Sequence, residues 1–313
     1  MSEMSRDDLR IVAGPANRVL ADTVARELGG EPDPSAVERF PDGELRPWVR
    51  DVHGADVYVV QPTGPGGGDS IVALLLLLDA CHRAGASRVT AVVPYFGYAR
   101  QDRRQHGGQA VGARVIADAL ATAGAERLVV VDPHTPALEA LCEIPVEMVT
   151  AVPVLAHGLA GTGDGFVVVA PDLGAVKLAE RYAALLDTPV AIVRKHRESG
   201  SSVHAKELIG DVADRRPIIV DDMISTGGTI EAAAGVLLDH GAIPEIDVAA
   251  THGPLVPSAI RRLHALPIRR LLVTDSVAQH DAFAEVHTIA PLLTDTIRRL
   301  HEDKPLDDLL IRT

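Results

Sequence analysis

The stretch RRPIIVDDMISTGGTIEAAAGVLLDHG, residues 215–241, decides how the chain is expected to fold. Its apolar run, Pro217–Val220, ends in two adjacent acids, Asp221 and Asp222, and a glycine-threonine turn, Ser225–Thr229, follows. A short continuous apolar run is typical of a parallel strand that is covered on both faces. An alanine-rich helical pattern comes directly after the turn. The stretch therefore predicts a strand, a polar turn and a helix, which is the repeating unit of an α/β fold.

The same order of apolar run and helical pattern repeats along the chain. Runs such as VYVVQPT, VTAVVPY, LVVVDPH, FVVVAPD and AIVRK are continuous, and helical patterns of about 10–15 residues lie between many of them. The segments RLVVVDPHTP and RPIIVDDMIST echo each other, one in each half of the chain. We therefore predict two α/β domains of similar plan, each a mainly parallel sheet flanked by helices, with a boundary near residues 150–155.

Charge and hydropathy exclude several classes of protein. The 313 residues carry a formal net charge of −13, which gives no support for nucleic-acid binding, so any bound anion must be held by a local basic site. The longest aliphatic run, IVALLLLLDA, is far shorter than the ~18–20 residues of a membrane span. The N-terminal MSEMSRDDLR has no apolar segment of the signal-peptide kind. We expect a cytoplasmic protein that binds neither nucleic acid nor membrane.

The turn STGGT is where the sequence predicts binding. A helix N-terminus presents unpaired N–H groups and a partial positive charge, which suit a phosphate, and glycines let the backbone approach it closely. Thr226 and Thr229 add hydroxyl donors, whereas Asp221 and Asp222 can accept from sugar hydroxyls or hold a metal ion. Together these groups indicate a sugar phosphate. The plainer alternative is a capped helix beside a solvated acidic pair. No GxxxxGK[ST] pattern of the ATP P-loop occurs.

Two segments of the first half are suited to a nucleotide. In RFPDGEL, residues 39–45, an aromatic ring can stack on a purine while two carboxylates accept hydrogen bonds from an amino group or a ribose. Taken alone, this segment also reads as an ordinary surface turn. In PYFGYARQDRR, Arg100 can contact phosphates and Gln101 can read a base edge, or the segment is simply a solvated basic loop.

Three further segments supply groups for catalysis. VDPHTP contributes His134 and APDLG contributes Asp172. Together they would form a metal site with few protein ligands, which suits Mg²⁺ where phosphates and waters complete the coordination. An ordinary buried histidine is the alternative. IVRKHRESGSS carries Lys195 and Arg197, which could close over a substrate and stabilise the charge of phosphoryl transfer, or form an exposed charge run. Because these polar segments each follow an apolar strand, we expect them to serve one site.

Taken in order, these segments resemble those of one family, the ribose-phosphate pyrophosphokinases, also called phosphoribosyl-pyrophosphate synthetases. The likeness extends from RFPDGE through GYARQDR, DPHTP, PDLG, KHR and VDDMISTGGT to APLLTDTIRRLHED, which is nearly the whole chain. The turn alone is shared with phosphoribosyltransferases, so the nucleotide-type segments favour the kinase. The resemblance implies two phosphoribosyltransferase-like domains, residues 1–152 and 153–290, and a final segment, 291–313, whose helix rejoins the first domain.

The resemblance also implies the reactants and the site residues. The pyrophosphoryl group of MgATP would pass to the C1 hydroxyl of ribose 5-phosphate, giving 5-phosphoribosyl 1-pyrophosphate and AMP. The implied residues are Phe40, Asp42, Gly43 and Glu44 of a neighbouring subunit for the ATP base, Arg100 and Gln101 for ATP, His134 and Asp172 for Mg²⁺, Lys195 and Arg197 for catalysis, and Asp221, Asp222, Ser225, Thr226, Gly227, Gly228 and Thr229 for ribose 5-phosphate.

A shared nucleotide site requires at least two chains, so the resemblance implies a homo-oligomer built from dimers, often a hexamer. Ser225 stands where these kinases often have aspartate, which puts a third carboxylate role in doubt. Two other functions remain open. A phosphoribosyltransferase would consume the activated sugar without ATP. A non-catalytic regulatory homologue would bind an active subunit, although Lys195, Arg197, His134 and Asp172 are all present.

Overall fold

The computed structural model describes residues 8–32, 34–65, 68–161, 165–197, 204–279 and 282–311, apart from the side chains of 195–197 and 204–206. Contacts divide the chain into two units. The first unit comprises residues 8–150, Ser276–Ala278 and 288–311, and the second comprises residues 151–275, 279 and 282–287. No helix in these described ranges is both long and apolar enough to cross a membrane.

The described strands are β1 (Leu9–Ala13), β2 (Ala36–Arg39), β3 (Leu45–Trp48), β4 (Asp56–Val60), β5 (Arg88–Val93), β6 (Arg127–Val131), β7 (Val146–Val149), β8 (Phe166–Ala170), β9 (Val190–Arg197), β10 (His204–Ile209), β11 (Arg216–Met223), β12 (Ile246–His252), β13 (Ile268–Thr274) and β14 (Glu285–His287). The α-helices are α1 (Arg18–Glu27), α2 (Gly68–Arg83), α3 (Gly112–Thr122), α4 (Leu138–Leu141), α5 (Val152–Leu159), α6 (Val176–Leu186), α7 (Gly228–Asp239), α8 (Pro257–His264) and α9 (Ala290–His301).

The main sheet of the first unit is parallel, with strand order β1-β4-β5-β6-β7. All five residues of β4 are buried, because the strand is covered on both faces. On one face, α2 packs Leu74, Leu77, Leu78 and Cys81 against the strands, a spacing of three, four and seven residues that keeps them on one side of the helix. Since parallel strands end at the same edge, the segments that follow β4, β5 and β6 lie along one edge of this sheet.

A separate two-stranded hairpin follows α1 in the first unit. β2 and β3 pair antiparallel, and residues 40–44 form the turn between them. Gly43 has a φ of +98°, in the left-handed region that favours glycine, and its N–H donates to the carbonyl of Phe40 at 2.9 Å. The turn is closed by the N–H of Phe40, which donates to the carbonyl of Glu44 at 2.8 Å.

The last helix packs in the first unit although it is encoded at the end of the chain. α9 lies against α1, and the Thr294 hydroxyl of α9 donates to the Glu27 carboxylate of α1 at 2.8 Å. His301 Nδ1 lies 2.8 Å from Asp56 Oδ2 at the start of β4. The residues beyond α9 return to the edge strand β7, where the N–H of Thr150 donates to the carbonyl of Leu309 at 3.0 Å.

The second unit contains a seven-stranded sheet of order β10-β9-β8-β11-β12-β13-β14, in which only the β9–β10 pair is antiparallel among the described strands. Alternate residues of β11 pack on opposite faces. Ile219 joins a core with Ile230 and Leu237 of α7, whereas Ile218 joins another with Tyr182 of α6. Two covered faces explain why this strand is a continuous apolar run. The predicted fold, mainly parallel sheets flanked by helices, is confirmed.

Candidate active site

The glycine-threonine turn joins the central strand of the second unit to a helix. β11 continues to Met223, so Asp221 lies within the strand and not after it, and α7 begins at Gly228. Gly227 has a φ of +73°, and a Cβ there would lie 3.3 Å from Leu263, so a side chain would be both strained and crowded. The N-cap residue is Gly227, which has no side chain to cap the helix. The N–H groups of its first turn are therefore placed to receive an anion.

The acids beside the turn repel one another. Partial burial raises the pKa of Asp221 well above its usual value, and the charges of Asp222 and Asp172 raise it further. The backbone N–H of Asp222 donates to Asp221 Oδ1 at 2.9 Å, which opposes the shift without cancelling it. A cation or a set of sugar hydroxyls brought to these carboxylates would relieve the repulsion.

Asp172 follows β8, and its side chain also caps a short backbone turn. Its Oδ1 accepts hydrogen bonds from the N–H of Gly174 at 2.8 Å and of Ala175 at 3.3 Å, which caps the short 3₁₀ turn Leu173–Ala175. These bonds fix the orientation of the carboxylate in the same unit as Asp221, whose pKa responds to its charge.

Three contacts hold the turn in place from the neighbouring elements of the second unit. The N–H of Ile224 donates to the carbonyl of His252 at 2.9 Å, and the N–H of Val256 donates to the carbonyl of Ser225 at 3.1 Å. Arg262 of α8 donates from Nη1 to the carbonyl of Thr226 at 2.6 Å. Two of these bonds are accepted by carbonyls of the turn, those of Ser225 and Thr226, whose side chains are half-buried and exposed, respectively.

In the first unit, the predicted base-binding segment is the tip of the β2–β3 hairpin. The Phe40 side chain is 40% exposed, and the Arg46 guanidinium lies 4.9 Å from its ring centroid. Asp42 Oδ1 accepts from the N–H of Glu44 at 3.1 Å, and Arg39 Nη1 donates to the carbonyl of Gly43 at 2.7 Å. One face of the ring therefore already contacts a cation, and the tip projects from a sheet that is separate from the main one.

The predicted phosphate and base contacts, Arg100 and Gln101, follow β5. Arg100 is exposed, and the N–H of Gln101 donates to the carbonyl of Tyr98 at 2.8 Å. A Cβ at Gly112 would lie 2.7 Å from Gln101 Oε1, so the start of α3 confines the Gln101 side chain.

A partly buried hydrogen bond joins this loop to the next one. The hydroxyl of Thr135, which follows β6, donates to Asp102 Oδ2 at 2.9 Å, and Arg103 contacts the same carboxylate at 3.0 Å. A hydrogen bond from Arg103 lowers the pKa of Asp102, against the effect of burial, and Thr135 lowers it further. Asp102 therefore fixes the loop that carries Arg100 relative to the loop that carries His134.

Of the two residues predicted for Mg²⁺, Asp172 supplies an oxygen donor of the kind that this ion prefers. His134 is exposed, so the alternative of an ordinary buried histidine is wrong. Among the described residues, no group of three or more His, Cys, Asp or Glu side chains is arranged to hold a metal by itself. However, Asp172 adds an oxygen donor beside Asp221, and crowded carboxylates are the donors that a hard cation neutralises. The remaining ligands would come from phosphates and waters, as is usual for Mg²⁺.

Comparison with known proteins decides the family. Residues 9–124 match the sequence model of the N-terminal domain of ribose phosphate pyrophosphokinase, and residues 154–263 match that of the phosphoribosyl transferase domain. The ribose-phosphate pyrophosphokinase of Caldanaerobacter subterraneus subsp. tengcongensis is 38% identical over 310 residues, covering 97% of this chain and 98% of that protein. That of Gloeobacter violaceus is 39% identical over 313 residues, covering 98% and 94%.

The chain belongs to the ribose-phosphate pyrophosphokinase family. A crystal structure of the phosphoribosylpyrophosphate synthetase from Mycobacterium smegmatis has a TM-score of 0.87 to this chain at 35% identity, covering 95% of this chain and all of that one. The family and the phosphoribosyltransferase-like fold predicted from the sequence are therefore confirmed. The assignment of individual residues to ATP, ribose 5-phosphate and Mg²⁺ stays a prediction.

The residues proposed for catalysis in this pyrophosphokinase family member are only partly described. The backbone of Lys195 and Arg197 lies in β9, where it pairs with Lys206 and His204 of β10. The side chains of both residues, and the segment 198–203 beyond them, lie outside the described part of the chain.

Sequence reasoning missed three residues that the structure brings to the predicted site segments. Arg262 contacts the turn from 36 residues downstream, and Asp102 and Thr135 meet across 33 residues. Arg262 lies in IRRLHA, an ordinary amphipathic helix, and has no signal of its own. Asp102 and Thr135 lie inside the motifs that were recognised, so only the partner of each was hidden.

Proposed function

We propose that the chain transfers the pyrophosphoryl group of ATP to the C1 hydroxyl of ribose 5-phosphate, giving 5-phosphoribosyl 1-pyrophosphate and AMP. The observation that carries this proposal is family membership over nearly the whole chain. The sequence also contains both the nucleotide-type segments and the turn predicted to bind phosphate. A phosphoribosyltransferase domain alone would account for the turn but not for residues 9–124.

Ribose 5-phosphate binding is assigned to the second unit. The 5-phosphate would accept hydrogen bonds from the first-turn N–H groups of α7 and from the hydroxyls of Ser225, Thr226 and Thr229. Gly227 and Gly228 keep this approach open because neither carries a Cβ. Asp221 and Asp222 would accept hydrogen bonds from the ribose hydroxyls, which suits carboxylates that repel one another.

ATP binding is assigned to the first unit. Arg100 would contact the phosphates and Gln101 the adenine edge, while Phe40 would stack on the base and Asp42, Gly43 and Glu44 would surround it. Phe40 is exposed at the tip of a hairpin outside the main sheet, which is a suitable position for a group donated to a neighbouring subunit. We therefore propose a dimer-based homo-oligomer, a hexamer in the manner of the family, with a shared ATP site.

In the transfer, the C1 oxygen of ribose 5-phosphate forms a bond to the β-phosphorus of ATP. The bond from the β-phosphorus to the α,β-bridging oxygen breaks, its electron pair leaves with AMP, and the hydroxyl proton is released. Lys195 and Arg197 would stabilise the negative charge on the transferring group. Mg²⁺, when bound with ATP, supplies further positive charge, and His134 and Asp172 are the residues that would hold it.

The first experiment follows purified protein with ATP, ribose 5-phosphate and Mg²⁺ by ³¹P NMR, with and without inorganic phosphate. AMP and a sugar 1-pyrophosphate are expected. ADP as the nucleotide product would mean a simple kinase. Pyrophosphate release that depends on a nucleobase and not on ATP would mean a transferase. No turnover, together with co-purification of an active relative, would mean a regulatory homologue. A cytoplasmic location stays a prediction from the sequence.

A further inference from the structure

Arg262 of α8 reaches the turn that we assign to the ribose 5-phosphate group. Its Nη1 donates to the carbonyl of Thr226 at 2.6 Å, and its Nε lies 2.9 Å from a carboxylate oxygen of Glu231. We infer that Arg262 is a positioning residue for phosphate binding, an inference that rests on the proposed function of the turn. It acts through the backbone of the turn and touches no substrate itself.

The hydrogen bond to Thr226 determines where the next N–H group points. A trans peptide is planar, and its C=O and N–H point in opposite directions. When Arg262 holds the carbonyl of Thr226 on the α8 side, the N–H of Gly227 is presented on the other side. Gly227 itself, at a φ of +73°, has many accessible conformations, so an external contact is needed to select one.

Packing from α8 supports the same orientation. A Cβ at Gly227 would lie 3.3 Å from Leu263, the residue after Arg262, and Leu263 is fully buried. The turn therefore lies directly on the helix that carries Arg262. One element supplies both a hydrophobic support below the turn and a charged donor to its carbonyl.

Arg262 also neutralises an unfavourable charge. Glu231 lies in the first turn of α7, close to where the phosphate dianion would be bound, and like charges repel. The pair is partly exposed, with side-chain exposures of 36% for Arg262 and 53% for Glu231. Ion pairs of this exposure contribute little to folding stability. The hydrogen bond to Thr226, and not the ion pair, is therefore the contact through which Arg262 mainly acts.

The test measures steady-state kinetics of the full-length protein with the variants Arg262→Ala and Arg262→Lys. We expect Arg262→Ala to raise the KM for ribose 5-phosphate about tenfold or more, because a charge-assisted hydrogen bond is lost, while the KM for ATP stays within about twofold. Arg262→Lys should recover part of the loss, since an ammonium can donate to one carbonyl but lacks the fork of the guanidinium. Arg261→Ala is the matched control, because Arg261 is the exposed preceding arginine.

A second comparison separates positioning from charge. If Arg262 acted only by neutralising Glu231, adding Glu231→Gln to Arg262→Ala would restore the KM for ribose 5-phosphate, and the inference would be overturned. We expect the KM for ribose 5-phosphate to remain raised in the double variant. An unchanged KM in Arg262→Ala, or an equal rise for both substrates with a lowered Tm, would also overturn it.

Direct binding keeps this test distinct from that of the proposed function. Calorimetric titration with ribose 5-phosphate requires no turnover, so weaker binding to Arg262→Ala than to the unsubstituted protein supports the inference even where no AMP forms. Absence of ribose 5-phosphate binding to the unsubstituted protein would overturn both the inference and the assignment of the turn.

Discussion

Asp221 is the residue at which stability and binding oppose each other most directly. It is a partly buried carboxylate whose pKa is raised first by burial, then by Asp222 and then by Asp172. Among the described residues, the charges with the largest effect on it are those of Asp222 and Asp172, so ionisation disfavours the folded state. Such a residue is retained for what it binds and not for what it contributes to folding.

We predict that Asp221→Asn stabilises the free protein at neutral pH and abolishes ribose 5-phosphate binding. Because the folded pKa is raised, the destabilising effect of ionised Asp221 is present above that pKa. It vanishes below the value of the unfolded chain, about 3.9. The gain in Tm should therefore be largest at neutral and alkaline pH and should shrink as the pH approaches 4. Thermal melts across pH check this, with Asp239→Asn, an exposed acid of the same unit, as control. A gain that grows on acidification would contradict the argument.

A second residue-scale prediction concerns the proposed catalytic cation. Lys195→Ala should lower kcat by roughly 100-fold or more, because removing one group that stabilises a transition state typically has an effect of this size. The fold should survive, as judged by circular dichroism and Tm. Lys304→Ala is the control, since the Lys304 side chain pairs with Glu302 at an exposed position. A near-normal kcat in Lys195→Ala would remove Lys195 from the mechanism.

Residues of the predicted site that could be read from the sequence share one property: each lies inside a contiguous motif. Asp221 lies near the end of β11 and Ser225–Thr229 follows shortly after it, so local rules bring them close together. Arg262 could not be found in this way, because its contact depends on how α8 packs on α7. Its partner is the backbone carbonyl of Thr226, and since every residue has such a carbonyl, the sequence does not indicate this contact.

At the scale of elements, the loops after β5 and β6 are held together by one hydroxyl. We predict that Thr135→Val raises the KM for ATP several-fold and lowers the free energy of unfolding by about 1–3 kcal/mol, since the Asp102 carboxylate loses a buried donor. The KM for ribose 5-phosphate should change little. Thr188→Val is a matched control, because the Thr188 hydroxyl is buried without a hydrogen-bond partner in the described structure. Equal effects of the two substitutions would show that the Asp102 contact has no special role.

The attachment of α9 to the first sheet depends on Asp56. Burial would raise the pKa of Asp56, but hydrogen bonds from Arg88 and His301, with the charge of Arg88, outweigh it, and the pKa is lowered. Arg88 Nε donates to Asp56 Oδ1 at 2.8 Å, and Tyr58 donates its hydroxyl to Oδ2 at 3.1 Å. One carboxylate therefore joins β4, β5 and the end of α9.

We predict that Asp56→Asn lowers the free energy of unfolding by up to about 3 kcal/mol at neutral pH, because Arg88 exchanges its nearest carboxylate partner for a neutral amide, while Asp303 lies 3.5 Å away. Because the folded pKa is lowered, this stabilisation is fully present above the unfolded value of about 3.9 and is lost as the pH falls through the folded pKa. Urea unfolding at pH 7 and at low pH checks both statements. Asp79→Asn, which removes an exposed i,i+4 pair with Arg83, should have an effect below about 0.5 kcal/mol. Equal losses at both sites would contradict the argument.

At the scale of the whole molecule, the sequence predicted the α/β class because each strand and helix has a local pattern. It was harder to predict which sheet each helix packs against. The periodicity of α9 does not state which sheet it covers, and only the family resemblance suggested the first one. In the structure, α9 packs on α1, and its buried residues Leu293 and Ile297 lie on the face of a helix that is amphipathic in the ordinary way.

We predict that residues 8–150, expressed alone, bind the dye ANS and unfold without a cooperative transition. Without α9, α1 keeps its packing against β1 but loses the helix that covers its other side. Joining residues 288–311 to residue 150 through a short linker should restore a cooperative transition, since the backbones of Thr150 and Leu309 are hydrogen-bonded. The same fusion with Leu293→Asp and Ile297→Asp is the control, and it should not show a cooperative transition. Cooperative unfolding of the short fragment would show that α9 is dispensable.

The return of α9 to the first unit has a consequence for synthesis on the ribosome. Domains usually fold as they emerge, the N-terminal one first, but here the first unit needs a helix that is translated last. At roughly 5–20 residues per second, the ~150 residues between β7 and the end of α9 take about 8–30 seconds to add. Throughout that interval the nascent first unit presents an uncovered helix face. A chaperone that recognises exposed apolar helices would therefore meet its substrate early in translation, long before the second sheet is complete.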